Sequence, residues 1–191
     1  MQTNKNRELD ALNLPDFPSP GPRILALDPG LKHTGFVLLR GEKILAHGVW
    51  HLGDGQRVPT RRKVRERISS YLSEFEPDEL VLEWPAPIDL RRRKKHCRTF
   101  RRLFHLAEAI EQASKARGIP SYHYDPNTIR RVVVGDGWAT KEQVASLLAF
   151  RYPELYIYLK QDRRWKEIHW RHMFDALAAA QCHMRLCEEA A

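Results

Sequence analysis

The sequence predicts a mixed α/β fold, a five-stranded sheet flanked by helices. Three observations carry this. Three strand-like segments come first, separated by glycine turns. Helical and strand-like segments alternate after them. The fourth strand segment is short and apolar, as expected of a central strand in a sheet covered on both faces. No internal repeat interrupts this order.

The elements follow in turn. Residues 1–22 hold Pro15, Pro18, Pro20 and Pro22 among mostly polar residues and read as an extended, disordered arm, so ordered structure begins at Arg23. Ile24–Leu27 is a first strand ending in the turn Asp28-Pro29-Gly30. His33–Arg40 and Ile44–Leu52 flank Gly41-Glu42 and complete an antiparallel meander, closed by Gly53-Asp54-Gly55. From Pro59 to Phe75, Val64, Ile68, Leu72 and Phe75 recur at helical spacing, with Arg61, Arg62, Lys63, Arg65 and Arg67 opposite. Leu80-Val81-Leu82 is a central fourth strand running into Glu83. Cys97, Phe100, Phe104, Ala107 and Ile110 mark a second long helix, ending near Gly118.

Ser121–Tyr124 supplies the fifth strand. Asp125 as N-cap and Pro126 at the first helical position then open a short helix. Gly135-Asp136-Gly137 breaks the chain, and Thr140-Lys141-Glu142-Gln143 has the pattern of a capping box, with Val144, Leu147 and Leu148 as the apolar face that follows. A last helix is expected over 168–187, leaving a single domain over 23–187 and a tail at 188–191.

Composition narrows the function classes. The chain has 191 residues, 42% of them hydrophobic, enough for one packed core. No apolar run reaches the ~18–20 residues of a membrane span, and the start lacks an apolar targeting segment. Cys97, Cys182 and Cys187 have neither zinc spacing nor the density of a disulfide framework, which fits a reducing cytoplasm.

Charge is concentrated. The 32 Lys+Arg exceed the 24 Asp+Glu by eight. Arg91, Arg92, Arg93, Lys94, Lys95, Arg98, Arg101 and Arg102 supply that whole excess within one window without an acid. A solvated loop is the plain reading. A track for phosphates is the functional one, favoured because the block begins eight residues after Glu83.

Four residues could bind metal. Asp28 and Glu83 each end a strand, and they converge at one sheet edge if strands one and four are neighbours. His172 and Asp175 are three apart and share one helix face. Each alone has a plainer role, as a turn, cap or surface pair. Together, three carboxylates and an imidazole suffice for two divalent cations, Mg²⁺ by oxygen preference, with Mn²⁺ also suited to the imidazole.

Several of these segments resemble the RuvC-type Holliday-junction resolvases. The resembling blocks are Ile24-Leu25-Ala26-Leu27-Asp28-Pro29-Gly30 with Thr34-Gly35, then Leu82-Glu83, then Ile129–Gly135 with Ala139–Val144, and Asp175-Ala176-Leu177-Ala178, in order over 23–187. The resemblance implies a ribonuclease H-like fold and a homodimer acting on four-way DNA. It further implies Mg²⁺-dependent hydrolysis leaving 5′-phosphate and 3′-hydroxyl ends, in the cytoplasm at the nucleoid, and it leaves a branch-migration motor open as a partner. Asp28, Glu83 and Asp175 match the family's carboxylates. His172 stands where many members carry Asp, and Lys141 matches a basic residue associated with DNA binding and cleavage. Arg130 falls where lysine is frequent; an Arg holds phosphate but hardly titrates. Arg131 is grouped with it as a DNA contact. Members often place an aromatic residue a few positions after the strand-four Glu, whereas here the only aromatic of Trp84-Pro85-Ala86-Pro87-Ile88 is Trp84.

Phe100, Phe104 and Ala107 either line a dimer surface or face the sheet. Other ribonuclease H-like nucleases, cutting flaps, forks or RNA–DNA hybrids, are the enzymatic alternative. A basic protein that binds branched DNA without cutting it is the other alternative.

Overall fold

A computed structural model describes residues 21–51, 60–85, 94–160 and 167–190. Its sheet contains β1 (Arg23–Asp28), β2 (Thr34–Arg40), β3 (Lys43–Trp50), β4 (Glu79–Glu83) and β5 (Ser121–Tyr124), in the order β3-β2-β1-β4-β5. The first three pair antiparallel, as the meander requires, while β4 joins β1 in parallel and β5 joins β4 in parallel. A bulge between Leu38 and Leu39 interrupts the β2–β3 register.

Alternation along β1 and β4 splits the core into two layers. Leu25, Leu27, Leu80 and Leu82 point to one face, against Val64, Ile68 and Leu72 of α1 (Arg61–Phe75) and Leu106, Ala109 and Ile110 of α2 (Lys94–Lys115). The four leucines are wholly buried, each worth about 1.5–3 kcal/mol relative to exposure. Ile24, Ala26 and Val81 point the other way, against α3 (Pro126–Val134), α4 (Lys141–Arg151) and α6 (Glu167–Ala190).

Helix α6 is the spine of the second layer. Its stretch Met173, Phe174 and Ala176–Ala180 is buried, and the small side chains let it lie close across β1, β2 and β4. At its far end, the buried His183 lies 2.9 Å from Glu79 of β4 and 2.8 Å from the Tyr124 hydroxyl of β5.

Helix starts follow the expected chemistry. Asp125 accepts from the backbone N–H of Asn127 and Thr128, and Thr140 and Gln143 form the reciprocal capping box. Thr60 caps α1 through the N–H of Lys63.

Several boundaries differ from the sequence reading. Helix α6 continues to Ala190, so most of the expected tail is helical. Residues 153–159 form a 3₁₀ turn and a four-residue helix, α5 (Tyr156–Leu159), which no periodic pattern announced. Most of the proline-rich arm, the Gly53-Asp54-Gly55 closure, Pro59, and Arg91, Arg92 and Arg93 of the basic window lie outside the described residues.

Candidate active site

The parallel β1–β4 register pairs Leu27 with Leu82, so Asp28 and Glu83 follow side by side at the same end of neighbouring strands. A sheet edge beyond the carboxyl ends of parallel strands is a favoured place for sites in α/β proteins. Helix α6 crosses this edge and brings His172 and Asp175 to it. The His172 Nδ1 hydrogen-bonds an Asp28 carboxylate oxygen, and the Lys141 ammonium pairs with Asp175.

Glycine permits this crossing. A Cβ built on Gly35 would stand 1.9 Å from the His172 carbonyl oxygen and 2.6 Å from the Met173 nitrogen. A Cβ on Gly30 would meet the His33 carbonyl oxygen at 2.1 Å and the His172 ring at 3.2 Å. The Asp-Pro-Gly turn and the following Thr-Gly are thus the seat on which α6 rests. The sequence marks them as turn and strand residues within the motif that carries the family resemblance, and their packing against α6 is visible only in the fold.

The electrostatics reflect crowding of like charge. Burial, and then the Asp28 and Asp175 carboxylates, hold the Glu83 carboxyl well above the usual range. Burial and the Asp28 charge also raise Asp175, against the opposing effect of Lys141. For Lys141, burial works against the charged form, but the pairing with Asp175 and the nearby Glu83 and Asp28 outweigh it. Its ammonium is therefore held above the ordinary lysine value. The hydrogen bond to Asp28 raises His172, despite burial.

A buried group of neighbouring carboxylates, of which Glu83 and Asp175 are raised, is a place where a cation would be stabilised. Asp28, Glu83, Asp175 and His172 are hard oxygen donors with one imidazole, which fits Mg²⁺ or Mn²⁺. Among the described residues, no three such side chains are already gathered as a metal cage. Lys141 instead pairs with Asp175, and the His172 ring hydrogen-bonds Asp28.

The remaining sequence candidates divide. Arg130 lines a small cleft with Glu83, Lys141 and Asp175, and its charge favours ionised Glu83. Arg131 is exposed beside Gly137, with no place in that cleft. Trp84 is half-buried, with ring centroids 4.6 Å from His123 and 5.5 Å from Phe104. It is a packed member of an aromatic cluster rather than a freestanding ring. Ala107 is fully buried within the chain, facing inward as the sheet-facing reading expected, and Phe100 and Phe104 are half-buried.

Lys94 and Lys95 open α2, and Arg98, Arg101 and Arg102 are exposed along it. Arg102 shares a pocket with Arg61, His105 and Leu31, the last just beyond the Asp-Pro-Gly turn. Arg61 of α1 lies 2.7 Å from His105 and 3.4 Å from Glu108. The basic faces of α1 and α2 therefore meet beside the loop that carries Asp28. Sequence periodicity placed the basic face of α1 alone; the other appeared as a charge block whose plain reading was a solvated loop, whereas Lys94 to Arg102 lie on α2.

The model of the family described as "Crossover junction endodeoxyribonuclease RuvC" matches residues 24–183. This chain belongs to the RuvC family. RuvC of Porphyromonas gingivalis is 30% identical over 166 residues, covering 84% of this chain and 80% of that protein. RuvC of Bacteroides fragilis is 30% identical over 165 residues, with the same coverage. Among solved structures, Thermus thermophilus RuvC in complex with a Holliday junction substrate superposes with a TM-score of 0.66 at 23% identity, covering 88% of this chain and 96% of that one. The yeast mitochondrial Holliday junction resolvase gives a TM-score of 0.59 at 16% identity, covering 87% and 79%. RuvC membership makes this chain one of a family of crossover junction endodeoxyribonucleases, and these structures share its mixed sheet flanked by helices.

Proposed function

We propose that the chain resolves four-way DNA junctions by metal-dependent hydrolysis at the β1–β4 edge, with Asp28, Glu83, His172 and Asp175 as the metal-binding set. The single observation that carries this is the convergence of strand-end carboxylates with His172 and Asp175 in a member of the RuvC family. When bound, two Mg²⁺ ions, with Mn²⁺ as substitute, supply water activation and stabilisation of the leaving oxygen, giving 5′-phosphate and 3′-hydroxyl ends.

The chain's own residues do the rest. His172 orients the Asp28 carboxylate by its hydrogen bond. Lys141, kept protonated by its carboxylate neighbours, offers a fixed positive charge to the phosphate being cut. Arg130 adds a charge that does not titrate. The basic faces of α1 and α2 hold the arms by their phosphates, without reading sequence.

Two equivalent nicks on a near-symmetric junction call for two such sites related by a two-fold axis, and a homodimer provides them. Action on four-way DNA fits a place in the cytoplasm, at the nucleoid, whether the gene belongs to a bacterium or a phage. A branch-migration motor would be a natural partner, since it positions the crossover. Among the described residues, no helix is long and apolar enough to cross a membrane.

The test compares a four-way junction, a fork, a flap, an RNA–DNA hybrid and linear duplex at one salt concentration, with and without Mg²⁺. Paired symmetric nicks on the junction, dependent on Mg²⁺, are the expected result. Preferential cutting of another substrate would move the assignment to a different ribonuclease H-like activity. Junction binding without any metal-dependent break would leave an architectural role.

A further inference from the structure

A cavity of about 340 Å³ opens beside the carboxyl-terminal half of α4, between α3, α4 and α6. Its floor is the buried Val133 and Leu148, and its rim carries Leu147 and Phe150, 39% and 86% exposed. Scattered exposed apolar residues are ordinary, but two of them one helical turn apart over an apolar floor form a docking surface. Two arginines also line it. Arg151 is already paired with Glu42. Arg185 donates only to the neutral Val132 and Val133 carbonyl oxygens, at 2.7 and 3.1 Å, so no carboxylate among the described residues pairs with its charge.

The described chain begins next to this cavity. The Gly21 carbonyl oxygen accepts from Arg40 Nε at 3.4 Å, and Arg40 ends β2 opposite Arg23, the first residue of β1. Glu42, in the turn that follows, is the residue paired with Arg151 at the cavity wall. Residues 1–20 lie outside the described residues. Within them, Glu8-Leu9-Asp10-Ala11-Leu12-Asn13-Leu14-Pro15-Asp16-Phe17 intersperses acids with large apolar side chains. No Lys or Arg occurs from Glu8 to Pro22, in a chain whose net charge is +8.

We propose that this cavity receives the amino-terminal arm of its own chain, with Leu14 and Phe17 on the apolar surface and Asp16 facing Arg185. Three features select this occupant. Phe17 is four residues from Gly21, and a proline-rich spacer covers about 3.1 Å per residue, so the arm reaches ~12 Å from its exit. The segment brings apolar side chains and acids to a surface that presents apolar side chains and an arginine without an acid. Its attachment so close by gives an effective concentration in the mM range, at which a weak contact is enough. The seated arm covers Phe150 and braces α4 against α6 from the side away from the β1–β4 edge. It thereby supports the two helices that carry Lys141, His172 and Asp175, whatever DNA the protein cuts.

The experiment uses the full chain with the photoreactive p-benzoylphenylalanine in place of Phe17, and in a second protein in place of Gln2 as background. After irradiation, denaturing gels separate products within one chain from products between two, and peptide mass spectrometry maps the attachment points. The Phe17 probe is expected to attach within its own chain to residues of α4 or α6 that line the cavity. Leu147→Asp with Phe150→Asp, two exposed positions given the charge of the arm, should reduce that yield to the Gln2 background.

A Phe17 yield no higher than that of Gln2 overturns the proposal. So does attachment to a second copy of the chain, or to the basic faces of α1 and α2, which would make the acidic arm a cover for the DNA track. An undiminished yield in a folded Leu147→Asp, Phe150→Asp protein, judged by its melting temperature, overturns it as well. Should that variant not fold, the mapping on the otherwise unaltered chain decides the matter alone.

Discussion

Asp28 and Gly35 face each other across the β1–β2 ladder, the first supplying a carboxylate and the second the bare backbone against which α6 is laid. The ladder thus fixes both the Asp28 carboxylate and the height of the helix that carries its hydrogen-bond partner, His172. Gly35→Ala puts a methyl group where the His172 carbonyl now stands. We expect destabilisation at or above the upper end of the ~1–3 kcal/mol usual for overpacking, or about 6–12 °C in melting temperature. Junction nicking should fall further than stability alone accounts for, because His172 moves away from Asp28. Gly21→Ala, at a site where an added methyl meets nothing within 4 Å, is the control and should leave both unchanged.

Asp28→Asn and Glu83→Gln keep the size of each side chain and remove a negative charge from a crowded site. Cleavage should be abolished while binding to a four-way junction persists, measured by gel shift and nicking on the same substrate. Full cleavage by either variant would remove these two residues from the chemistry.

Lys141→Met deletes the ammonium that pairs with Asp175. Loss of a fixed charge at a reacting phosphate typically costs about 10²–10³ in rate. Single-turnover nicking at saturating protein should show a fall of that size. A rate within twofold of wild type would assign Lys141 to the structural support of Asp175 alone.

Phosphate contacts are read from salt dependence. Neutralising about eight phosphates gives a slope of about −7 for log K against log salt. Replacing exposed Arg98, Arg101 and Arg102 together by Gln should flatten it by about 3, with little change in which junction sequences are cut. An unchanged slope would exclude this face of α2 from the DNA track.

Asp125 caps α3 and accepts from Thr128 and Asn127, which lowers its pKa. A lowered carboxylate pKa contributes stability that is present above the unfolded value and lost as pH falls through the folded one. Asp125→Ala should therefore cost about 0.5–2 kcal/mol at neutral pH. The gap from wild type, followed by urea unfolding, should close as the solution is taken below about pH 4.

How much was legible varies with how local each signal is. Asp28 and Glu83 could be read because each ends an apolar strand, and the caps at Asp125 and Thr140 could be read because their partners lie within three residues. The pairing of Lys141 with Asp175, 34 residues apart, left no such trace, since a lysine at a helix start looks the same whether solvated or paired. Gly35 was visible as part of a motif, but its reason lies in the approach of residues 172 and 173. Helix α5 and the Tyr158–Trp170 stack were hidden for a further reason: Tyr156–Leu159 is too short to show a period, and its rings are positioned by α6. The edge sharing of Asp28 and Glu83 depended on strand order, which the sequence allowed without specifying.

Because α6 provides both His172 and Asp175 and the cover for Ile24, Ala26, Val37, Leu39 and Val81, it links chemistry to the order of synthesis. Chains are made from the amino terminus, and α6 is the last described element to emerge. A nascent or prematurely terminated product therefore lacks half of the proposed metal-binding set and the helix that covers one face of its sheet. Such a fragment would be a client for chaperones and proteases instead of an unregulated nuclease. Placing the final two proposed ligands on the helix that completes the core would tie the capacity to break DNA to the completion of folding.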